Sequence, residues 1–176
     1  LSAVSIAQAG QDDRVHFWLT VLHNNDGESV LIDQGAGLED FGGAARFKTV
    51  VDDLKWSATR GRPAMPGAKR GMVMVSSGDN FLAGPEFNAS QEKGLPYYDT
   101  IAMDLIGYDA VTIGNHDFDF GPDVLADFIE GYQYTMPPYM SANLIYEGEP
   151  RLQALFEEGR IARSIVVEER DEYIGI

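Results

Sequence analysis

The stretch from Ala110 to Asp119 reads Ala-Val-Thr-Ile-Gly-Asn-His-Asp-Phe-Asp, a short apolar run that ends abruptly in polar residues. The β-prone run predicts a strand, and the polar cluster predicts a loop at its carboxyl end. Gly121 and Pro122 follow, and a proline at the first helical position is typical of a helix start. The stretch therefore predicts a strand, a polar loop and a helix in immediate succession.

The same order of elements recurs along the chain. Apolar runs predict strands at Phe17–Leu22, Met72–Val75, Tyr139–Leu144, Ile161–Glu168 and Tyr173–Ile176. Apolar residues at helical spacing predict helices over Gly43–Trp56 and around Tyr98–Leu105, and a third beginning at Pro122. Alternating strands and helices indicate an α/β domain with a mainly parallel sheet covered by helices.

Polar side chains follow three of these strands directly. Asp26 and Glu28 come after the strand at Phe17–Leu22, and Asp79 comes after the strand at Met72–Val75. Asn115 and His116 come after the strand that begins at Ala110. Because parallel strands end at one edge of the sheet, we expect these groups to converge there. Carboxylate and amide oxygens suit hard or borderline divalent cations. Asx and Gly residues after a single strand could simply form a turn, but three equivalent loops favour a binding site.

Composition narrows the possible functions. The 176 residues carry a formal net charge of -15, which disfavours general binding to nucleic acid. No apolar run approaches the roughly 18 residues needed to span a bilayer. There are no cysteines, which excludes thiol catalysis and thiolate metal sites. The chain also lacks the ligand spacing of a 12-residue calcium loop and the Gly-rich loops of Rossmann and P-loop proteins.

Three motifs carry a family resemblance when they are taken in order. They are Leu22-His23-Asn24-Asn25-Asp26-Gly27-Glu28-Ser29, Ser77-Gly78-Asp79 and Gly114-Asn115-His116-Asp117-Phe118-Asp119. Together they resemble the calcineurin-like metallophosphoesterases, and more narrowly the catalytic domain of 5′-nucleotidases. The residues Gly43–Arg46 and Ala142-Asn143 match that subgroup as well. The resemblance runs from about Phe17 to Ile176 and implies the N-terminal part of a layered α/β/β/α sandwich.

The resemblance also implies roles for individual residues in a two-metal hydrolysis of phosphate esters, with nucleotides as substrates. Asp26 would bind the first of two divalent metal ions, Asp79 would bridge both, and Asn115 would bind the second. His116 would face the scissile phosphate, and Asp119 would hold and polarise its imidazole. From the residues alone, His116 could instead be a buried, hydrogen-bonded histidine of the core.

Two departures from the family pattern leave alternatives open. Glu28 stands where the family has a histidine ligand, so it either binds metal, favouring Mn²⁺, Mg²⁺ or Ca²⁺ over Zn²⁺, or points away. The family's later histidine ligands have no counterpart, because His16 is expected at the surface and His23 in a packing role. A non-catalytic binding protein that keeps the fold is therefore the alternative function. Asp117 either supports the site or is a turn residue.

The two ends of the chain carry further expectations. Residues 1–16 are predicted to form a flexible N-terminal segment, in which Ala7-Gln8-Ala9 resembles a signal-cleavage motif. The motif and the acidity favour a periplasmic or extracellular protein. Residues 17–176 are predicted to be a partial domain, truncated on its C-terminal side and inactive without the remainder of the same protein.

Overall fold

The architecture comes from a computed structural model that describes residues 2–5, 15–60 and 67–176. Within these residues, the larger sheet contains six strands that lie side by side in chain order. They are β1 (Ser2–Ser5), β2 (Phe17–Asn24), β3 (Lys69–Ser76), β4 (Ala110–Thr112), β5 (Tyr139–Met140) and β6 (Ile161–Ala162). β1 pairs antiparallel with β2, and each of the other neighbouring pairs is parallel.

Helices occupy the connections between the parallel strands. They are α1 (Ala44–Arg60), α2 (Pro85–Lys93), α3 (Tyr98–Ile106), α4 (Pro122–Glu130) and α5 (Pro150–Glu157). A 3₁₀ turn over His116–Phe118 comes before α4, and a hairpin of β7 (Val166–Glu169) and β8 (Glu172–Gly175) follows β6. The predicted α/β class, a mainly parallel sheet covered by helices, is confirmed.

The core lies against one face of the sheet. One side chain from each of the five parallel strands is buried there, at positions that the strand register places on the same face: Leu22, Met74, Val111, Tyr139 and Ile161. They pack with residues of the helices in one apolar cluster. At the centre of this cluster, the Phe81 ring stacks on Phe128 with centroids 4.6 Å apart. The helices therefore cover this face, as right-handed crossovers between strands in sequential order require.

The opposite face of the sheet carries the hairpin near the start of β3. A Cβ atom on Gly71 would lie 2.5 Å from Cγ of Glu169 in β7, so glycine permits this close approach. Lys69 adds an exposed ion pair with Asp171 in the hairpin turn, at 3.2 Å. The hairpin is thus anchored far from the carboxyl edge of the sheet and leaves that edge to the loops.

The predicted elements after β4 need correction. The run 139–144 is extended only over β5, and the run 161–168 divides into β6 and β7, which belong to different sheets. The division occurs because the backbone of Ile165 exchanges two hydrogen bonds with Ile176, at 2.9 and 3.0 Å, instead of continuing along the sheet. α2 and α5 have no predicted counterpart, since each is a short helix that buries just two side chains.

Helix α3 is present as predicted, but it buries a different face. Tyr98, Ile101 and Leu105, which defined the apolar spacing, are 46%, 38% and 60% exposed. The buried positions include Met103 and Asp104 instead. The apolar spacing therefore predicted the helix correctly and its orientation wrongly.

Asp104 ties α3 to the segment that leads into β5. Its Oδ1 accepts hydrogen bonds from the backbone N–H and the hydroxyl of Thr135, at 2.8 and 2.7 Å. Its Oδ2 accepts from the backbone N–H groups of Gln133 and Tyr134, at 2.9 and 3.0 Å. Burial alone would raise the pKa of Asp104, but these hydrogen bonds to the charged form outweigh it, so the pKa is lowered.

Two sequence-based expectations concern the terminus and the membrane. Much of the predicted flexible segment, residues 1–16, lies outside the described residues, although Ser2–Ser5 form β1 and residues 15 and 16 lead into β2. Among the described helices, none has both the length and the apolar character needed to cross a bilayer.

Candidate active site

Three loops leave the carboxyl ends of neighbouring strands. We refer to residues 25–29 after β2 as the first loop, residues 77–80 after β3 as the second, and residues 114–119 after β4 as the third. The first and second loops run side by side beyond the strands. The backbone N–H groups of Asp26, Glu28 and Ser29 each donate to a carbonyl of residues 78–80, all at 3.1 Å. Two predicted ligand positions, Asp26 and Asp79, therefore belong to one hydrogen-bonded unit.

The backbone is unusual at three of the predicted metal ligands. Asp26, Glu28 and Asp79 have φ angles of 52°, 48° and 54°, in the left-handed region. Side chains other than glycine rarely adopt this region, although Asp tolerates it better than most. Strained backbone of this kind is concentrated at functional sites, because the surrounding structure must hold it in place. Here the hydrogen bonds between the loops provide that support.

The second and third loops touch backbone to backbone at two glycines. A Cβ atom on Gly78 would lie 2.6 Å from the backbone nitrogen of Gly114. A Cβ atom on Gly114 would lie 2.3 Å from Oδ1 of Asp79. A side chain at either position would force the loops apart, so glycine is what allows the Asp79 carboxylate to reach the third loop.

The side-chain carboxylates of Asp79 and Asp117 connect the second and third loops. Oδ1 of Asp79 accepts a hydrogen bond from the backbone N–H of His116, at 2.8 Å. In the other direction, Oδ2 of Asp117 accepts from the N–H of Gly114 at 2.6 Å and from the N–H of Asp79 at 3.4 Å. Asp117 is 1% exposed, and this burial raises its pKa to about 7 despite the backbone donors.

His116 forms a pair with Asp119 at the same edge. Nδ1 of His116 lies 2.9 Å from Oδ2 of Asp119, and the two side chains are 39% and 33% exposed. A carboxylate only accepts hydrogen bonds, so Nδ1 is the donor and Nε2 is left for another partner. The hydrogen bond to Asp119 raises the pKa of His116, and the nearby charges of Asp79 and Glu28 act in the same direction. The geometry is that of a partly exposed imidazole oriented by a carboxylate, not of a core histidine.

The segment after the first loop is fastened to the start of α1. The guanidinium of Arg46 donates to the carbonyls of Glu39 and Gly42, at 2.9 and 3.2 Å. At Gly43, where φ is 86°, a Cβ atom would fall 2.0 Å from the carbonyl oxygen of Ile32. Gly43 and Arg46 therefore close the segment that begins at the first loop, which gives a structural reason for the sequence at the helix start.

The predicted ligands form a partial set. Asp26, Glu28, Asp79 and Asn115 all lie on these three loops and offer oxygen donors, which suit a hard divalent cation. In the described part of the chain, no three or more His, Asp or Glu side chains are grouped closely enough to hold a metal ion by themselves. The donor chemistry thus fits a cation, and the predicted ligands are not grouped closely enough in the described residues to hold one without further ligands.

Comparison with known proteins supplies the family. No protein-family model matches the chain. The trifunctional nucleotide phosphoesterase protein YfkN of Bacillus subtilis is 30% identical over 152 residues, which are 80% of this chain and 9% of that protein. The 5′-nucleotidase of Vibrio vulnificus is 34% identical over 154 residues, covering 84% of this chain and 24% of that protein. The solved structure of a 5′-nucleotidase precursor from Thermus thermophilus matches with a TM-score of 0.64 and 30% identity, covering 89% of this chain and 27% of that one.

The chain belongs to the 5′-nucleotidase family of metallophosphoesterases. Its match lies in the N-terminal domain region of that family. The chain spans about a quarter or less of the length of these relatives. The 5′-nucleotidase fold is therefore represented here by one part, and that part carries the three motif loops.

Within the 5′-nucleotidase fold, the sequence left the place of Asp117 open. The structure shows it as a buried acceptor beneath the second and third loops. The sequence did carry a signal for this position. Asp117 directly follows His116, and consecutive side chains of a helical turn point to different sides, so an exposed His116 indicates a buried Asp117. The buried side chains of Ser29 and Asn80 were also missed, and nothing in their sequence context distinguishes them from ordinary turn residues.

Proposed function

We propose that the intact protein removes phosphate from nucleotides by metal-assisted hydrolysis. The observation that carries the proposal is the His116–Asp119 pair, which lies beside the Asp79 carboxylate at the carboxyl edge of the sheet. Relatives named nucleotide phosphoesterase and 5′-nucleotidase support nucleotides as the substrate class. A binding scaffold would have no need of an imidazole oriented in this way.

The three loops would together supply ligands to two divalent cations, which are Mn²⁺, Mg²⁺, Ca²⁺ or Zn²⁺. Asp26 and Glu28 would hold the first, Asn115 the second, and Asp79 would lie between them. When bound, the cations supply Lewis acidity and a water activated for attack on phosphorus. They also provide positive charge in a chain whose formal net charge is -15, which would otherwise repel a phosphate group.

His116 would act on the phosphate through Nε2. Because Nδ1 is engaged by Asp119, Nε2 is free to donate a hydrogen bond to a phosphate oxygen or a proton to the departing oxygen. Asp119 fixes the ring orientation and favours the protonated imidazole, which suits this role.

The remainder of the protein would complete the site. The predicted ligands Asp26, Glu28, Asp79 and Asn115 would fill only part of the coordination of two cations, so we infer that the 176-residue chain alone has little or no activity. Residues beyond this chain would supply the other metal ligands and the contacts to the base. We also infer export to the periplasm or the extracellular space, which is supported by the Thermus relative, itself named a precursor.

The test is phosphatase activity of the intact protein with AMP and with a generic aryl phosphate. Activity is expected after addition of Mn²⁺, Mg²⁺, Ca²⁺ or Zn²⁺ to chelator-treated protein, and it should disappear again with excess EDTA. A folded intact protein that binds these cations and AMP but hydrolyses neither substrate would favour the alternative, a non-catalytic binding protein of the same fold.

Glu28 should decide the metal preference. Substitution Glu28→His is expected to shift the optimum from Mn²⁺, Mg²⁺ or Ca²⁺ toward Zn²⁺, because imidazole is a softer ligand than carboxylate. The measurement is the order of activation by the four cations in wild type and variant. Glu92→His, an exposed change in α2, is the matched control and should keep the wild-type order. An unchanged order in Glu28→His would mean that Glu28 does not bind metal.

A further inference from the structure

Asp117 is a buried carboxylate that the proposed chemistry does not use. It is 1% exposed and sits in the 3₁₀ turn that follows the predicted ligand Asn115, between His116 and Asp119 in the chain. A buried carboxylate is costly unless hydrogen-bond donors surround it. Its donors come from two of the three loops that carry predicted ligands, so its position is tied to the geometry of the site.

The donors around Asp117 are backbone N–H groups. Oδ2 accepts from Gly114 in the third loop at 2.6 Å and from Asp79 in the second loop at 3.4 Å. The backbone N–H of Asn80 also favours the ionised form of the same carboxyl group. The Asp117 side chain of the third loop therefore accepts from an amide of its own loop and from one of the second loop, and a second amide of the second loop favours its charge.

The arrangement is reciprocal, which makes it a clamp. The Asp79 carboxylate receives the N–H of His116 at 2.8 Å, while Asp117 receives the N–H of Asp79. Gly78 and Gly114 let the two loop backbones approach closely, because a Cβ atom at either position would clash across the gap. These crossed hydrogen bonds therefore join the two loops at the point where their backbones come closest.

We propose that Asp117 is a positioning residue that sets the distance between the Asp79 carboxylate and the Asn115 amide. The inference rests on the proposed function, in which these two groups bind the same cation. Asp117 touches neither the cation nor the substrate; it acts through the backbone of Asp79 and Gly114. Loss of the clamp lets the two ligands separate, which weakens cation binding even in a folded protein.

The first measurement is Mn²⁺ affinity by calorimetry on the intact protein, for wild type, Asp117→Ala and Asp117→Asn. Asp117→Ala is expected to weaken binding about 10- to 100-fold, the usual effect of removing a group that orients metal ligands. Asp117→Asn keeps one acceptor oxygen and should weaken binding several-fold. Asp104→Asn is the matched control: it alters a buried carboxylate with as many backbone donors, away from the three loops, and should leave the affinity unchanged.

A second measurement needs no metal. Amide hydrogen exchange of the metal-free protein should speed up at Gly114, Asp79 and Asn80 in Asp117→Ala, with no change at residues 133–135. If both variants bind Mn²⁺ with wild-type affinity, the positioning role is overturned and the proposed function stays intact. If Asp117→Ala does not fold, wild-type affinity in Asp117→Asn has the same meaning. A wild-type protein that binds no cation overturns both.

Discussion

Replacing His116 with alanine is expected to lower kcat for AMP hydrolysis by the intact protein about 10²- to 10⁴-fold. The reason is that Nε2 would stabilise charge that develops in the transition state, so its loss should affect kcat more than KM. Steady-state kinetics at saturating metal concentration would measure both constants. A saturating metal concentration excludes weakened metal binding as the cause of a lower kcat, since the backbone N–H of His116 donates to the Asp79 carboxylate. Alanine keeps that N–H group.

Asp119 provides a coupled test of the same pair. Asp119→Ala should cost less than His116→Ala, and the double variant should be no slower than His116→Ala alone, because Asp119 acts only through the imidazole. His16→Ala is the matched control, since His16 is exposed and lies just before β2, at the opposite end of the strands. Additive losses in the double variant, or wild-type kcat in His116→Ala, would contradict the assigned roles.

The fold could be predicted from sequence wherever apolar spacing matched burial. In α4, the helix predicted to begin at Pro122, Leu125, Phe128 and Ile129 lie at helical spacing and are 0% exposed. In α3 the spacing selected the wrong face, because the helix buries polar groups that find partners elsewhere in the fold. Thr100 donates its hydroxyl to the carbonyl of Phe128, and Asp104 receives the N–H groups of residues 133–135. Apolar spacing cannot register such partners, since they come from distant parts of the chain.

The sequence could also predict where the candidate site lies, but not how its loops contact each other. The rule that parallel strands end at a common edge was enough to place the loops of Asp26, Asp79 and Asn115 at the same edge of the sheet. It could not indicate the contact between Gly78 and Gly114, which depends on backbone conformation in two separate loops. The roles of these residues in metal binding remain predictions, as does the role of Glu28.

Removing the Asp104 side chain is expected to be among the most destabilising changes in the chain. Asp104→Ala would leave three partly buried backbone N–H groups without their acceptor and should lower the free energy of unfolding by about 2 kcal/mol. Urea denaturation followed by circular dichroism would measure it. Asp123→Ala is the control, because the Asp123 side chain is 81% exposed and its ion pair with Arg151, at 3.6 Å, should contribute less than about 1 kcal/mol. Equal losses in the two variants would show that Asp104 does not hold the segment before β5.

The charge of Asp104 gives this contribution a defined pH dependence. The pKa of Asp104 is lower in the folded protein than in the unfolded chain, so the folded state favours the ionised carboxylate. The added stability is therefore fully present above the unfolded pKa, about 4, and is lost as the pH falls through that value toward the folded pKa. Compared with Asp104→Asn, the wild type should hold its full advantage in unfolding free energy above about pH 5 and lose it progressively below about pH 4. Asparagine does not titrate in this range. If the difference in unfolding free energy between wild type and Asp104→Asn narrows as the pH falls, the stability comes from the charged hydrogen bonds. If the difference stays constant with pH, it comes from side-chain shape.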